Sequence, residues 1–589
     1  MKRRTHAIIG WTTTVSLGLL FWFFFAVCYR HHGHYQEQMQ LFLFTPAYFL
    51  ELIGRPGGLA IYLGRFFTQF FYDSFTGGFL VALLLVALQR LVRDAANQVT
   101  RLPSAQLLTC IPSLLYAAVL CDENMLLNGL VALVGAMAAV AVYNRIGRPA
   151  ARAVYYLLMV PVSYFLWGVG ALVFVLLPPL TECIRRRRWT FLLTLLLPGI
   201  LLFAALPFLA KAVYMQYPIE RYLLAGDYYR FVHAYPVAFL SVFLFTALLP
   251  LLYRVLPRRR YAAARMQYAS QLLLLALLAA LGVWRVADWK KEELMAYDYY
   301  ARVQKWNSIL AMADKKAPTG PLTVAMLNLA LSRTDHLPEY MFTYYQNGTE
   351  GLIPSFAKDH LQPLMVGEIY YWLGLINTAQ RFAFDAMETI PDYQKSVRAV
   401  KRLAETNLIN GRYAVAAKYL SLLENTLYYR SWAKQTRTYL ANEARINAHP
   451  EWGTLRSYRP GEDFFFSETE KDQMFGLLFQ QNPSNRMAYE YLLAFTLLKK
   501  DLPAFYRYYP LGEGTITYGM IPRAYREALA LIWSQVNYDP ARKPHGLSDR
   551  AVGRLENYRG IFTTQSDPAS ALKRTHGDSY WFYFHFGTN

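Results

Sequence analysis

Apolar residues come in long unbroken runs up to about residue 290 of this chain and in a helical rhythm after it. Roughly 20 apolar residues are needed to carry a helix across the hydrocarbon core of a bilayer. The first such run is Ala7 to Tyr29. Lys2, Arg3 and Arg4 precede it, as basic residues precede a signal peptide. The run is too long and aromatic for one, and no small-residue cleavage site follows before Arg30, so it reads as a retained helix. Further runs fall at about 76–92, 106–120, 125–143, 153–166, 168–183, 189–211, 236–255 and 267–287, and the pattern predicts nine spans. The stretch 153–183 is divided because Gly168 and Gly170 supply a turn. A single crossing there would set Arg148 and Arg152 on the opposite side from Arg185–Arg188.

Charge gives these runs a direction. Residues 1–290 hold 26 Lys and Arg against 10 Asp and Glu, and residues 291–589 hold 34 against 30. The basic excess sits in short clusters between apolar runs: the N-terminus; Arg90, Arg93 and Arg101; Arg145, Arg148 and Arg152; Arg185–Arg188; and Arg254, Arg258, Arg259, Arg260 and Arg265. With nine spans all five clusters fall on one side, which the positive-inside rule makes cytoplasmic. The expectation is a bacterial inner-membrane protein with a cytoplasmic N-terminus and an extracytoplasmic, periplasmic second half. A nucleic-acid-binding protein would gather its basic residues on a soluble face, so that class is excluded. The four cysteines, Cys28, Cys110, Cys121 and Cys183, are too few for a disulfide scaffold. Cys28 and Cys121 fall near the same end of their spans, which leaves a pairing open beside the free-thiol alternative. The chain carries no CxxC, HExxH, GxxxxGK[ST] or GxSxG motif.

The segments expected outside, about 30–74 and 212–235, are rich in Tyr, Phe and Leu with scattered charges. They suit amphipathic helices lying in the interface plane, with Arg55-Pro56-Gly57-Gly58 as a turn between two of them. After residue 290 the chain reads helix–turn–helix. Glu368 to Glu388 places Gly374 after a Tyr-Tyr-Trp-Leu run and before Ala379 and Phe382, and Pro391 follows. Leu403 to Leu420 repeats the plan around Gly411, 37 residues on, with Tyr413, Ala416 and Tyr419. Weaker copies start at Tyr297 and Ala488. This resembles tetratricopeptide repeats in a degenerate form, whose period is about 34. The resemblance implies an all-α array that binds a protein or glycan partner. Paired aromatics such as Tyr299-Tyr300, Tyr344-Tyr345, Tyr370-Tyr371-Trp372 and Tyr508-Tyr509 are expected in its core. The apolar end Tyr580–Phe586 is expected to dock rather than hang free.

The expected fold is therefore all-α: a polytopic membrane domain over 1–290 and an extracytoplasmic helical-repeat domain over 291–589. Candidate chemistry lies in the outer segments. Glu37 follows the first span in His34-Tyr35-Gln36-Glu37-Gln38, and Asp122 and Glu123 lie in the short connection Cys121-Asp122-Glu123-Asn124. Asp73, Glu220 and Asp227 are further outer acids. Acids in the first and second outer loops, many spans and an outer C-terminal domain resemble the membrane glycosyltransferases of the GT-C fold. That resemblance implies a polyprenyl-phosphate-linked sugar as donor and a divalent metal. It makes Glu37 the base, Asp122 and Glu123 further catalytic or metal-binding acids, and Arg55 or Arg65 the holder of the lipid phosphate. The first loop departs from the family in having a single Glu where an acidic pair is usual, with His31, His32 and His34 as substitute ligands. The chain as a whole also resembles an uncharacterised family of bacterial membrane proteins. The alternative function is a non-catalytic, membrane-anchored scaffold that recruits a protein or glycan through the array.

Overall fold

The computed structural model of the chain describes residues 2–100, 103–186, 189–214, 217–231, 236–254, 261–357, 359, 361–391, 394–460, 467 and 469–587. Of the basic clusters, Arg101, Arg187, Arg188 and Arg258–Arg260 lie outside the described residues, as do 215–216 and 232–235 of the second outer segment. The described residues are helical, with one isolated bridge, Met125 to Tyr229, and no strand. The chain divides into two compact units. The first holds residues 1–293 together with 394–397 and 422–430, and the second holds the remainder.

The first unit runs α1 (Lys2–Phe23), α2 (Arg30–Gln38), α3 (Pro46–Ile53), α4 (Gly58–Thr68), α5 (Ser74–Val99), α6 (Ile111–Val119), α7 (Asn128–Arg145), α8 (Pro149–Trp167), α9 (Leu172–Arg186), α10 (Leu197–Tyr214), α11 (Ile219–Leu223), α12 (Val237–Leu252) and α13 (Tyr261–Leu278), and reaches the start of α14 (Trp289–Arg302). Leu85, Leu88, Leu130, Leu133 and Phe174 of α5, α7 and α9 are at its fully buried centre. The outward faces of these helices stay apolar, with Leu83, Leu158 and Leu201 exposed. An apolar exterior suits lipid and not water.

The span count corrects the expectation of nine. Among the described residues five helical stretches are long and apolar enough to cross a bilayer: Gly10–Cys28, Ser74–Val99, Asn128–Arg145, Pro149–Arg186 and Leu192–Tyr214. A sixth arises if Ala269–Trp284 and Trp289–Arg302, bent by 54°, are one broken span. Leu107–Val119 and Val237–Leu252, two of the expected nine, are apolar but shorter. Apolar runs overcount because a buried short helix and a lipid-crossing one need the same residue types. The stretch Pro149–Arg186 folds back on itself. Arg152 of α8 pairs with Glu182 of α9, and the Tyr156 hydroxyl donates to the Val175 carbonyl at 2.8 Å. Gly168 makes the reversal at φ +60°, and a Cβ there would lie 1.9 Å from the Ala225 carbonyl oxygen. Only glycine fits that place.

The second unit is built from short helix pairs. Trp306–Lys315 follows α14, Ile376–Glu388 follows Gln362–Leu373, Tyr413–Glu424 follows Val397–Ile409, and Leu502–Tyr508 follows Arg486–Leu498. Gly374 and Gly411 turn two of these pairs at φ +87° and +73°. Tyr370, Tyr371 and Trp372 are buried in the core, whereas Tyr345 is 46% exposed. A buried ion network joins the pairs. Arg398 contacts Asp298 at 2.7 Å and Glu368 at 3.3 Å, and Arg402 contacts Glu368 at 2.6 Å and Glu405 at 2.9 Å. The C-terminus docks as its composition demands. Trp581 is fully buried, its Nε1 donates to the Glu527 carbonyl at 2.8 Å, and the Tyr580 N–H donates to the Glu527 carboxylate at 2.6 Å.

Candidate functional site

The sequence of α2 contains no aliphatic residue, yet His31 to Gln38 are all buried. Polar groups are tolerated in an interior only when they find partners, so this helix is a polar hub inside an apolar unit. A π-turn over Phe24–Cys28 leads into it, closed by the Tyr29 N–H donating to the Phe24 carbonyl at 2.8 Å. The N–H groups of His31 and His32 in its first turn donate to the two oxygens of Glu292 at 2.8 and 2.9 Å. A carboxylate there answers both the unpaired donors and the helix dipole. Burial still pushes the Glu292 carboxyl up to about 7, against the pull of those two donors and of Arg30. Burial likewise holds the His31 and His32 imidazoles down, at about 3 and about 4. Both rings are therefore neutral at pH 7.

Glu37 lies at the other end of α2 and is 4% exposed. The Tyr429 hydroxyl donates to its Oε1 at 3.0 Å, and the Gln38 side chain donates to its Oε2 and, at 2.8 Å, to the Tyr429 oxygen. Glu37 lines a small pocket together with Gln40, Arg65, Gln69, Tyr428 and Tyr429. All belong to the first unit. The free cavity is about 20 Å³, room for one water-sized group.

Arg65 projects from α4 and is 8% exposed. Its Nη1 donates to the Tyr48 hydroxyl at 3.2 Å, and that hydroxyl donates on to the Leu41 carbonyl at 3.2 Å. Tyr48 is placed by α3, whose start is fixed by Pro46 and by Thr45 accepting the Tyr48 N–H at 3.3 Å. Among the described residues no carboxylate lies within ion-pair distance of Arg65.

Neither Asp122 nor Glu123 lines the Glu37 pocket. Asp122 accepts the Asn124 N–H at 2.9 Å and the Tyr229 hydroxyl at 3.1 Å. Glu123 pairs with Lys291, while its backbone carbonyl accepts from Gln36, the residue next to Glu37. Successive helical positions point about 100° apart, so α2 meets the two places with different faces. Of the two candidate phosphate holders, only Arg65 reaches the pocket. Arg55 sits 3.5 Å from Asp227, which Arg221 also approaches at 3.7 Å. Asp73 caps α5 by accepting the Thr76 N–H at 2.8 Å. Among the described residues no three His, Cys, Asp or Glu side chains group to hold a metal ion. The histidines of α2 therefore do not supply the divalent metal site that the glycosyltransferase resemblance implies. The four cysteines are free thiols.

Four participants carried no signal in the sequence. Tyr428 and Tyr429 lie almost 400 residues from Glu37 and are one aromatic pair among several. Glu292 looks like an ordinary helix-start acid. Arg230 is 6% exposed, and its Nε and Nη2 have no hydrogen-bond partner among the described residues, with Nη1 3.4 Å from the Tyr35 hydroxyl.

These features define an all-helical protein with membrane-length apolar helices and a polar, arginine-bearing pocket in its first unit. The chain belongs to the family of unknown function DUF6057, whose model matches residues 5–587. No curated protein and no solved structure matches the chain. The glycosyltransferase and tetratricopeptide resemblances therefore stand on sequence pattern alone.

Proposed function

We propose that this multi-pass membrane protein binds a phosphate-bearing polyprenyl lipid at the Glu37–Arg65 pocket and transfers the sugar that the lipid carries. The observation behind this reading is Arg65, a buried guanidinium with no carboxylate at ion-pair distance among the described residues, lining the same pocket as a buried carboxylate. Burying an unpaired ion costs several kcal/mol. A phosphate is the natural partner of such a group, because a guanidinium meets it with two parallel hydrogen bonds. In the transfer, Glu37 takes the proton of an acceptor hydroxyl as that oxygen bonds to the sugar's anomeric carbon. The bond from that carbon to the phosphate oxygen breaks, and its electron pair leaves with the lipid phosphate, whose charge Arg65 meets. No step passes through a metal. In this reading the basic clusters face the cytoplasm, the pocket lies at the outer surface of a bacterial inner membrane, and the second unit is extracytoplasmic.

The test is binding and turnover of purified protein in vesicles containing a polyprenyl phosphate or its sugar-linked form. Arg65→Gln is expected to weaken binding by about tenfold or more, the worth of a charge-assisted hydrogen bond. Glu37→Gln is expected to keep binding and lose sugar transfer. Equal binding by wild type and Arg65→Gln, with no sugar transferred by either, would overturn the reading. The first unit would then be an anchor, and the scaffold alternative would stand.

A further inference from the structure

We propose that the segment Leu422–Arg430 is a gate on the Glu37–Arg65 pocket, with the Tyr429 phenol standing where the acceptor hydroxyl would stand. This rests on the reading of that pocket as a ligand site. The segment belongs to the first unit although the chain on both sides of it belongs to the second. It supplies Thr426, Leu427, Tyr428 and Tyr429 to the pocket wall.

Three kinds of contact hold it. The Phe44 N–H donates to the Asn425 carbonyl at 2.8 Å. The Tyr428 ring stacks on Tyr72, with centroids 4.6 Å apart and planes 11° from parallel. The Tyr429 hydroxyl donates to Glu37 at 3.0 Å. Leu422–Glu424 end the helix Tyr413–Glu424, and Thr426 Oγ1, accepting the Tyr429 N–H at 3.2 Å and donating to the Leu423 carbonyl at 2.7 Å, ties the following turn to that helix end. The turn therefore moves together with the end of that helix.

Two consequences follow from this packing. The phenol O–H donates its hydrogen bond to Glu37, so a hydroxyl-bearing acceptor reaches that carboxylate oxygen only by replacing it. The free cavity of about 20 Å³ admits no sugar phosphate while the segment is seated. Ligand binding then competes with the segment, and apparent affinity scales with the fraction of molecules in which it is displaced.

The experiment uses full-length protein in vesicles with and without a polyprenyl phosphate. Binding is measured directly, and hydrogen exchange is read at the Phe44 amide. The gate predicts that bound lipid speeds exchange at Phe44. It also predicts that Tyr429→Phe and Tyr428→Ala tighten apparent affinity by about 2- to 10-fold, the worth of the lost contacts. Tyr429→Phe keeps the ring, so a folding defect in Tyr428→Ala does not silence the test. If lipid binds but Phe44 exchange is unchanged and both variants bind equally or more weakly, the pocket stands and the gate is wrong. If neither wild type nor variants bind, the ligand reading falls and the gate with it.

Discussion

The replacement Glu292→Gln should change the pH dependence of stability by a predictable amount. The Glu292 carboxyl moves from an ordinary 4.5 in the unfolded chain to about 7 in the native one, mainly through burial. At about 1.4 kcal/mol per pH unit, this is a cost of about 3 kcal/mol once the group is charged. Because the native value is raised, the associated stability is fully present below pH 4.5 and is lost as pH rises through 7. His31 and His32 act with the opposite sign. Their native values are depressed to about 3 and about 4. The unfolded chain therefore takes up protons below about pH 6.5, and stability is lost as pH falls from there. In the window 4.5–6.5 the two effects oppose, so the wild-type profile alone decides nothing. The difference between wild type and Glu292→Gln cancels the histidines. At pH 4.5 the two proteins should melt alike, since a glutamine resembles a protonated glutamate. By pH 8 the variant should gain about 3 kcal/mol, the contribution of the His31 and His32 N–H groups being already contained in the native value of about 7. At about 2–4 °C per kcal/mol for a unit of this size, the melting temperatures separate by about 6–12 °C. Thermal unfolding in detergent, followed by tryptophan fluorescence from pH 4.5 to 8.5, reads this directly. Parallel melting curves across that range would refute the claim that burial dominates at Glu292.

Three further outcomes follow from the packing. Gly168→Ala should destabilise the first unit by about 3 kcal/mol or more, through a left-handed backbone and a clash with the Ala225 carbonyl; unchanged melting would show that the α8–α9 reversal is not tight. Glu368→Gln should cost about 3–5 kcal/mol, because it leaves Arg398 and Arg402 sharing less negative charge in a dry interior; denaturant unfolding of the full chain checks it. Trp581→Ala should cost about 3–5 kcal/mol as a fully buried aromatic is removed, and limited proteolysis should then cut the C-terminal helix Tyr580–Phe586 first.

The helical class and the α8–α9 turn at Gly168 were legible in the sequence, because each is a local pattern. The paired helices around Gly374 and Gly411 were legible for the same reason. The number of full spans was not. Leu107–Val119 and Val237–Leu252 are as apolar as a lipid-crossing helix, and length alone sets them apart. The acids show the limit for sites. Glu37, Asp122 and Glu123 were placed in neighbouring outer loops, but which way each side chain faces depends on helix phase and on partners far along the chain. Glu123 is held by Lys291 and Glu37 by Tyr429, and no spacing rule links residues so distant. Of the two arginines, the sequence could not tell that Asp227 would engage Arg55 while Arg65 stayed without a carboxylate.

The contrast between buried arginines separates structural charge from charge held in reserve. In the second unit Arg398 and Arg402 are met by Asp298, Glu368 and Glu405. Removing either leaves buried carboxylates uncompensated, so Arg398→Met should destabilise by about 3–5 kcal/mol. In the first unit Arg65 has one neutral hydroxyl partner, and no carboxylate would be stranded by its loss. Replacing a buried charge that makes no ion pair with an apolar chain of similar volume removes a desolvation cost, offset in part by the longer-range attraction of Asp227 and Glu51. Arg65→Met should therefore be neutral or stabilising by about 1–4 kcal/mol in the empty protein. The same change should abolish binding of polyprenyl phosphate in vesicles. Stability gained where binding is lost marks a residue kept for its ligand. If Arg65→Met instead destabilises as much as Arg398→Met, the guanidinium is part of the packing of α3 and α4. The ligand reading would then lose the observation on which it stands.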